Sequence, residues 1–295
     1  MRRHFFTLDV FTDRRFTGNP LAVVLEPQGL ETAAMQAIAR EFGHPETVFV
    51  LPPSDPTHRA RLRIFTPGRE LPFAGHPTVG TAVLLGRLDD GSAREFVVEE
   101  GIGPVRCTVE PVDDGRGRAR FALPQLPVAA GAAPDDATIA AALGLSAADI
   151  GFDALRPARW SAGNPCTFVP LARLAAVADC RPDAGKIIAA FGNGIVYLFC
   201  RDCAEAGHDF HARMFAPAFG VTEDPATGSA AAAFAGLLAA HGGRKDGEHA
   251  AVIEQGYEMG RPSLMELAFV LQCGKLVSAS VGGGAVIVTE GTIEA

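Results

Sequence analysis

Phe65-Thr66-Pro67 leads through a short loop to His76-Pro77-Thr78-Val79-Gly80-Thr81-Ala82. About half a chain later, Phe215-Ala216-Pro217 leads to Asp224-Pro225-Ala226-Thr227-Gly228-Ser229-Ala230. The shared pattern is F-x-P, a loop, then [HD]-P-x-x-G-[ST]-A opening an apolar run. Two echoes keep the same order: Gly18-Asn19-Pro20 with Gly163-Asn164-Pro165, and Glu100-Gly101 with Gln255-Gly256. Ordered self-similarity at a steady offset reads as a duplicated half. Superposed halves are expected to bring Phe65 onto Phe215 and His76 onto Asp224.

The boundary then falls near the middle of the 295 residues. Residues 123–137, LPQLPVAAGAAPDDA, lack apolar periodicity and read as a linker. The expected domains are 1–125 and 126–295, and the sequence leaves open which half receives the last strands. Both halves are rich in short β-branched or alternating segments between turn residues. Residues 32–42 place Met35, Ile38, Ala39 and Phe42 on one helical stripe, with Gly43 as a stop. Two other helices, expected over 78–88 and 226–241, are apolar on every face, and such a helix is buried on every side. The expected fold class is α+β: two pseudo-symmetric strand-rich barrels, each around one central helix.

Composition narrows the function. The hydrophobic fraction of 48% with 20% charged residues suits a folded globular protein. A net charge of −8, with no basic block, argues against nucleic acid and anionic membrane as partners. The apolar run at residues 230–240 is too short for a membrane span, and Asp9 and Asp13 interrupt any signal-like stretch. Six cysteines make no disulfide scaffold, so reduced thiols and cytoplasmic residence are expected.

Chemistry is expected where the buried helices begin. Proline suits a first helical turn, which makes His76 and Asp224 the expected N-caps. Gly80 and Gly228 allow close backbone approach, and Gly228-Ser229 adds an amide and a hydroxyl. Two such N-termini facing one cleft would form an anion site suited to a carboxylate. The bland alternative is that both residues only cap their helices. Glu46, just past Gly43 and flanked by Pro45 and the apolar residues 47–50, is a candidate acid/base with a raised pKa, or else an ordinary turn residue.

Taken together these segments resemble the PhzF family. The resemblance runs nearly end to end through Gly18-Asn19-Pro20-Leu21-Ala22-Val23-Val24, Glu46-Thr47-Val48-Phe49, Leu71-Pro72-Phe73-Ala74-Gly75-His76-Pro77 and Glu223-Asp224-Pro225-Ala226-Thr227-Gly228-Ser229-Ala230. It implies a diaminopimelate-epimerase-like fold, an active site between two barrels, no cofactor, and a homodimer. It also implies a cofactor-independent isomerase that moves a proton on a small, cyclic carboxylic acid. The resemblance places the catalytic residues on Glu46, His76 and Asp224, with Asn19, Gly75, Gly228 and Ser229 binding substrate and no metal ligands. Pro45 before the glutamate and Ala231-Ala232-Ala233 after the G-S-A string depart from the family pattern and bear on the substrate.

Other chemistries fit less well. A two-cysteine racemase needs thiols where His76 and Asp224 stand. Cys200-x-x-Cys203 with His208-x-x-His211 superficially offers zinc ligands, but the spacing suits a hairpin better. Ser229, His76 and Asp224 could be arranged as a hydrolase or lyase, although no G-x-S-x-G elbow surrounds Ser229. No phosphate-binding glycine loop occurs. A protein that binds a small acid without turning it over is the alternative from another class.

Overall fold

In a computed structural model, which describes residues 1–90, 94–110, 113–192 and 194–295, the chain divides into two units. The first comprises Met1–Pro124 with Val281–Ala295, and the second Gln125–Ser280. In chain order the first unit holds β1 (Arg2–Val10), β2 (Asn19–Leu25), α1 (Thr32–Phe42), β3 (Glu46–Leu51), β4 (Ala60–Phe65), β5 (Glu70–Leu71), α2 (Gly75–Leu88), β6 (Arg94–Glu100), β7 (Gly103–Val109) and β8 (Arg116–Ala122). The second holds β9 (Val128–Ala129), α3 (Asp136–Leu143), β10 (Ala158–Ser161), β11 (Pro165–Pro170), α4 (Leu174–Asp179), α5 (Ala184–Phe191), β12 (Ile195–Cys200), β13 (Phe210–Ala216), β14 (Val221–Asp224), α6 (Gly228–His241), β15 (Gly247–Gln255) and β16 (Ser263–Gln272). The last strand, β17 (Lys275–Glu294), starts in the second unit and finishes in the first.

The first unit is a closed ring. Strand β1 pairs antiparallel with β2, β2 runs parallel to β3, β3 pairs antiparallel with β4, and β4 runs parallel to β6. Antiparallel pairs carry the sheet through β7 to β8, and β17 joins β8 to β1. Closure removes the two free edges that an open sheet of these strands would present. Helix α2 runs within this sheet, and its residues 75–86 are all buried. Its Gly80 has no room for a side chain: a Cβ there would lie 2.6 Å from Val10 Cγ2 and 2.7 Å from Leu21 Cδ2.

The second unit repeats the order of strand senses. Strands β10 and β11 are antiparallel, β11 and β12 parallel, β12 and β13 antiparallel, β13 and β15 parallel, β15 and β16 antiparallel. Helix α6 is the buried one, and Phe234 on it packs its ring against Phe168, Tyr197, Phe199 and Phe210 at centroid distances of 4.8–6.3 Å. Each such aromatic pair adds about 0.5–1.5 kcal/mol beyond its buried area. The α+β class and the paired helix-centred halves follow the sequence reading.

Several local expectations change. Residues 123–137 are not a bare linker: β9 lies in them and pairs with β10, and α3 begins at their end with Asp135 accepting a cap bond from Thr138 N. The buried helices start at Gly75 and Gly228 rather than at residues 78 and 226. Strand β1 escapes notice because Arg2, Arg3 and Asp9 mask its alternation. Helices α3, α4 and α5 escape because they are at most eight residues long. Among the described residues no helix is long and apolar enough to cross a membrane.

Candidate active site

In the first unit, helix α1 stops at Gly43, which adopts a left-handed φ of 65° and bonds its amide to Ala39 O. Three residues later Glu46 opens β3, opposite Leu21 of β2. His76 is the second residue of α2. Its Nδ1 lies 3.3 Å from Glu46 Oε2, and the two side chains are only 5% and 17% exposed. Burial pushes the imidazole down to about 3, against a smaller upward pull from the Pro20 backbone and with a small further push from His44. The ring is therefore neutral at ordinary pH. Its Nδ1 proton serves the Pro20 carbonyl, with Glu46 Oε2 beside it, and Nε2 is left as an acceptor. His76 Nε2 is buried with no hydrogen-bond partner among the described residues. Asn19 opens β2 opposite Val10 and is fully buried, and Gly75 is the buried first residue of α2.

In the second unit, Asp224 ends β14 and is buried. Thr227 Oγ1 donates to Asp224 Oδ2 at 2.6 Å, while Gln255 Nε2 donates to Asp224 O at 2.7 Å. Gly228 and Ser229 are the first two residues of α6, the former buried and the latter half-buried. The first turn of α6 is closed by Ala231 N bonding Thr227 O at 3.0 Å. The amides of residues 228–230 thus lie outside the helix ladder, where an anion is favoured. In α2 the corresponding first bond is Thr78 N to Ala74 O at 3.2 Å. Only Gly75 and His76 then offer amides, because Pro77 has none.

Neither His76 nor Asp224 is an N-cap. Those positions belong to Ala74 and Thr227, with no side-chain cap in either case. The expected superposition of His76 on Asp224 is overturned as well. Strand β5 sets Leu71 opposite Ile64, and β14 sets Asp224 opposite Met214, so Leu71 is the counterpart of Asp224. Both buried helices are 14 residues long, which pairs Gly75 with Gly228 and His76 with Ser229. Phe65 and Phe215 do match, facing Thr47 and Val196. Glu46 corresponds to Ile195, since these open the two parallel strands opposite Leu21 and Cys166.

Paired braces support this register. Arg63 Nε and Nη2 bind Glu70 at 2.7 and 2.6 Å, and Arg213 Nε and Nη2 bind Glu223 at 2.8 and 2.9 Å. Each guanidinium also covers the phenylalanine two residues on, at 5.1 and 5.0 Å. Glu99 accepts from Ser54 N, Asp55 N and His58 Nδ1, while Glu254 accepts from Ala204 N, Glu205 N and His208 Nδ1. Backbone hydrogen bonds from Asp55 and Ser54 hold Glu99 down at about 2. Burial would raise Glu254, but bonds from His211, His208 and Ala204 outweigh it and also leave it at about 2. A Cβ on Gly101 would lie 2.8 Å from Pro72 Cα, and one on Gly256 2.6 Å from Pro225 O. Each glycine therefore lets its strand press on the proline before a buried helix. Glu99, Gln255 and Thr227 did not stand out in the sequence as contributors. Their signal was the pair Glu99-Glu100-Gly101 and Glu254-Gln255-Gly256, of which only the last two positions drew attention.

The Cys200-x-x-Cys203, His208-x-x-His211 segment turns between β12 and β13. Cys200 and Cys203 thiols donate to the Asp202 and Arg201 carbonyls, and both histidines bind Glu254. Burial pushes the two thiols up to about 12 and about 11. Among the described residues no group of three or more His, Cys, Asp or Glu is arranged to hold a metal ion.

A family model described as phenazine biosynthesis-like protein matches residues 8–291. The chain is 49% identical to an uncharacterized isomerase of Mesorhizobium japonicum, over 99% of this chain and 98% of the relative. It is 36% identical to a trans-2,3-dihydro-3-hydroxyanthranilate isomerase of Pseudomonas chlororaphis, over 98% of this chain and 99% of that one. A crystal structure of a Bacillus anthracis phenazine biosynthesis protein of the PhzF family superposes with a TM-score of 0.90 at 26% identity, covering 100% of both chains.

Proposed function

The chain belongs to the phenazine biosynthesis-like (PhzF) family and is an isomerase, and we propose that it moves a proton between carbons of a small cyclic carboxylic acid, with Glu46 taking and returning it. The contact that carries this proposal is Glu46 Oε2 at 3.3 Å from the neutral, buried His76. An ionised Glu46 removes a proton from carbon, and the electron pair spreads into the conjugated acid. The Glu46 carboxylic acid then delivers the proton to another carbon, so the substrate's formula is unchanged and no oxidant enters the balance. His76 and Asp224 hold polar substituents and assist the transfer. Gly228 and Ser229 hold the carboxylate at the amide-rich start of α6, and Asn19 and Gly75 complete the first unit's share. Work as a cytoplasmic homodimer, with no bound cofactor, belongs to the same proposal.

The first acid to test is the one named for the Pseudomonas relative, trans-2,3-dihydro-3-hydroxyanthranilate. Removing a positioned acid/base costs about 10²–10⁴ in rate. Glu46→Gln is expected to bind the acid as wild type does and to lose deuterium uptake from D₂O by that factor, read by NMR. Unchanged uptake would pass the role of base to Asp224 or His76.

A further inference from the structure

Glu100 ends β6 and is buried inside the first unit. Its Oε1 lies 2.8 Å from Thr78 Oγ1, and that same hydroxyl lies 2.7 Å from Ala74 O. A hydroxyl has one hydrogen to give. Were Glu100 ionised, both neighbours would need that hydrogen, and the loser would meet a lone pair at hydrogen-bond distance. A neutral Glu100 removes the conflict: its carboxylic O–H donates to Thr78, and Thr78 donates to Ala74 O. Glu100 Oε2 has no hydrogen-bond partner among the described residues, which a neutral carbonyl tolerates far better than a carboxylate.

The second unit carries a permanently neutral side chain of the same length at the matched position. Gln255 Nε2 donates to Asp224 O and, at 3.1 Å, to Thr227 Oγ1, and Gln255 Oε1 accepts from Thr227 N at 3.3 Å. Both groups brace the turn that opens a buried helix. We infer that Glu100 is a positioning residue for the reaction: as a neutral acid it fixes the Ala74–Thr78 turn of α2 and, through that turn, the contact of His76 with Glu46. This rests on the place given above to His76 in the site.

The surroundings favour the neutral form. Burial raises Glu100 to about 8, opposed only by its bond with Thr78. On β7, Cys107 faces it, its thiol pushed up by burial and then by Glu100 itself, so it carries no charge. On α2, His76 is neutral. Glu99, next in the chain, turns instead to the amides of Ser54 and Asp55. None of these supplies a positive charge. Ionisation near pH 8 therefore breaks the relay and releases the His76 turn.

The test needs no substrate, so it can fail independently of the proposed reaction. The imidazole nitrogens of His76 are followed by NMR from pH 6 to 9.5 in the full chain and in Glu100→Gln. Wild type is expected to show a step with its midpoint near 8, while Glu100→Gln keeps the low-pH signals throughout. Thr78→Val, which removes the relaying hydroxyl but keeps its shape, should shift the His76 signals at every pH and abolish the step. A step that survives in Glu100→Gln, its absence in wild type, or wild-type signals in Thr78→Val would each overturn the assignment. With trans-2,3-dihydro-3-hydroxyanthranilate as probe, wild-type deuterium uptake should fall tenfold per pH unit above 8, and Glu100→Gln should remove that limb.

Discussion

At the mouth of α2 the chain reads Glu70-Leu71-Pro72-Phe73-Ala74-Gly75-His76, and at the mouth of α6 it reads Glu223-Asp224-Pro225-Ala226-Thr227-Gly228-Ser229. The shared residues hold backbone: the glutamates clamp an arginine on the preceding strand, the prolines meet Gly101 and Gly256, and the glycines start the helices. Among the residues that differ are those with reactive groups to offer. Leu71 stands against Asp224, His76 against Ser229, and, on the neighbouring strand, Glu46 against Ile195. The first mouth gives up an amide to Pro77 and presents a carboxylate with a neutral imidazole. The second keeps three free amides and adds a hydroxyl. The scaffold is common to both units and the groups it presents are divided, a carboxylate with an imidazole in the first, amides with a hydroxyl in the second.

Three comparisons bear on that division, from the largest expected effect to the smallest. Asp224→Asn is expected to lower deuterium uptake about 10²-fold, whereas Leu71→Asn, the same amide at the matched place, should leave it within about threefold. Equal losses in exchange assays would mean the two mouths share one role. Next come the arginine clamps. Arg213 also donates to Val177 O and its side chain is well buried, so Arg213→Met should cost about 3–5 kcal/mol. Arg63 and Glu70 are more exposed, and Arg63→Met should cost about 1 kcal/mol or less. Urea unfolding measures both, and a larger loss from Arg63→Met would reverse the ranking.

The smallest effect concerns pH. Burial lowers His211, but its bonds to Glu254 and Glu258 outweigh that and push it up to about 9. A raised histidine stabilises fully below its unfolded pKa of about 6.5, and that contribution is lost as pH rises through 9. The first unit has Arg61 at this register position, opposite Glu99 as His211 is opposite Glu254, and arginine does not titrate there. The gap in Tm between wild type and His211→Gln should therefore close between pH 6.5 and 9. Each 1 kcal/mol corresponds to about 2–4 °C. A constant gap would mean that His211 contributes shape rather than charge.

The duplication was readable because F-x-P, G-N-P and [EQ]-G strings survive in both halves, and the buried helices announce themselves by being apolar on every face. The register was misread by five residues for a definite reason. The first half has prolines at both 72 and 77 and the second only at 225, and matching 225 to 77 set His76 against Asp224. The string E-x-P-x-[AT]-G would have chosen Pro72. Glu46, His76 and Ser229 could be picked out as candidates because residue type, position and family resemblance agree. Glu99 and Glu254 could not, because their partners lie 41–46 residues away in sequence and only the folded strands bring them together. The caps were misassigned because Ala74 and Thr227 make no side-chain cap bond, so nothing local marks them.

Strand β17 sets an order of events. Residues 281–295 supply the strand that joins β8 to β1, so the first unit, begun before the second on the ribosome, closes only after the second has been synthesised. Until then β1 and β8 keep open edges, which invite pairing with other chains. The second unit needs no residue beyond Ser280 and can complete its core earlier. The half that carries Glu46 and His76 is thus translated ahead of the second unit and sealed after it.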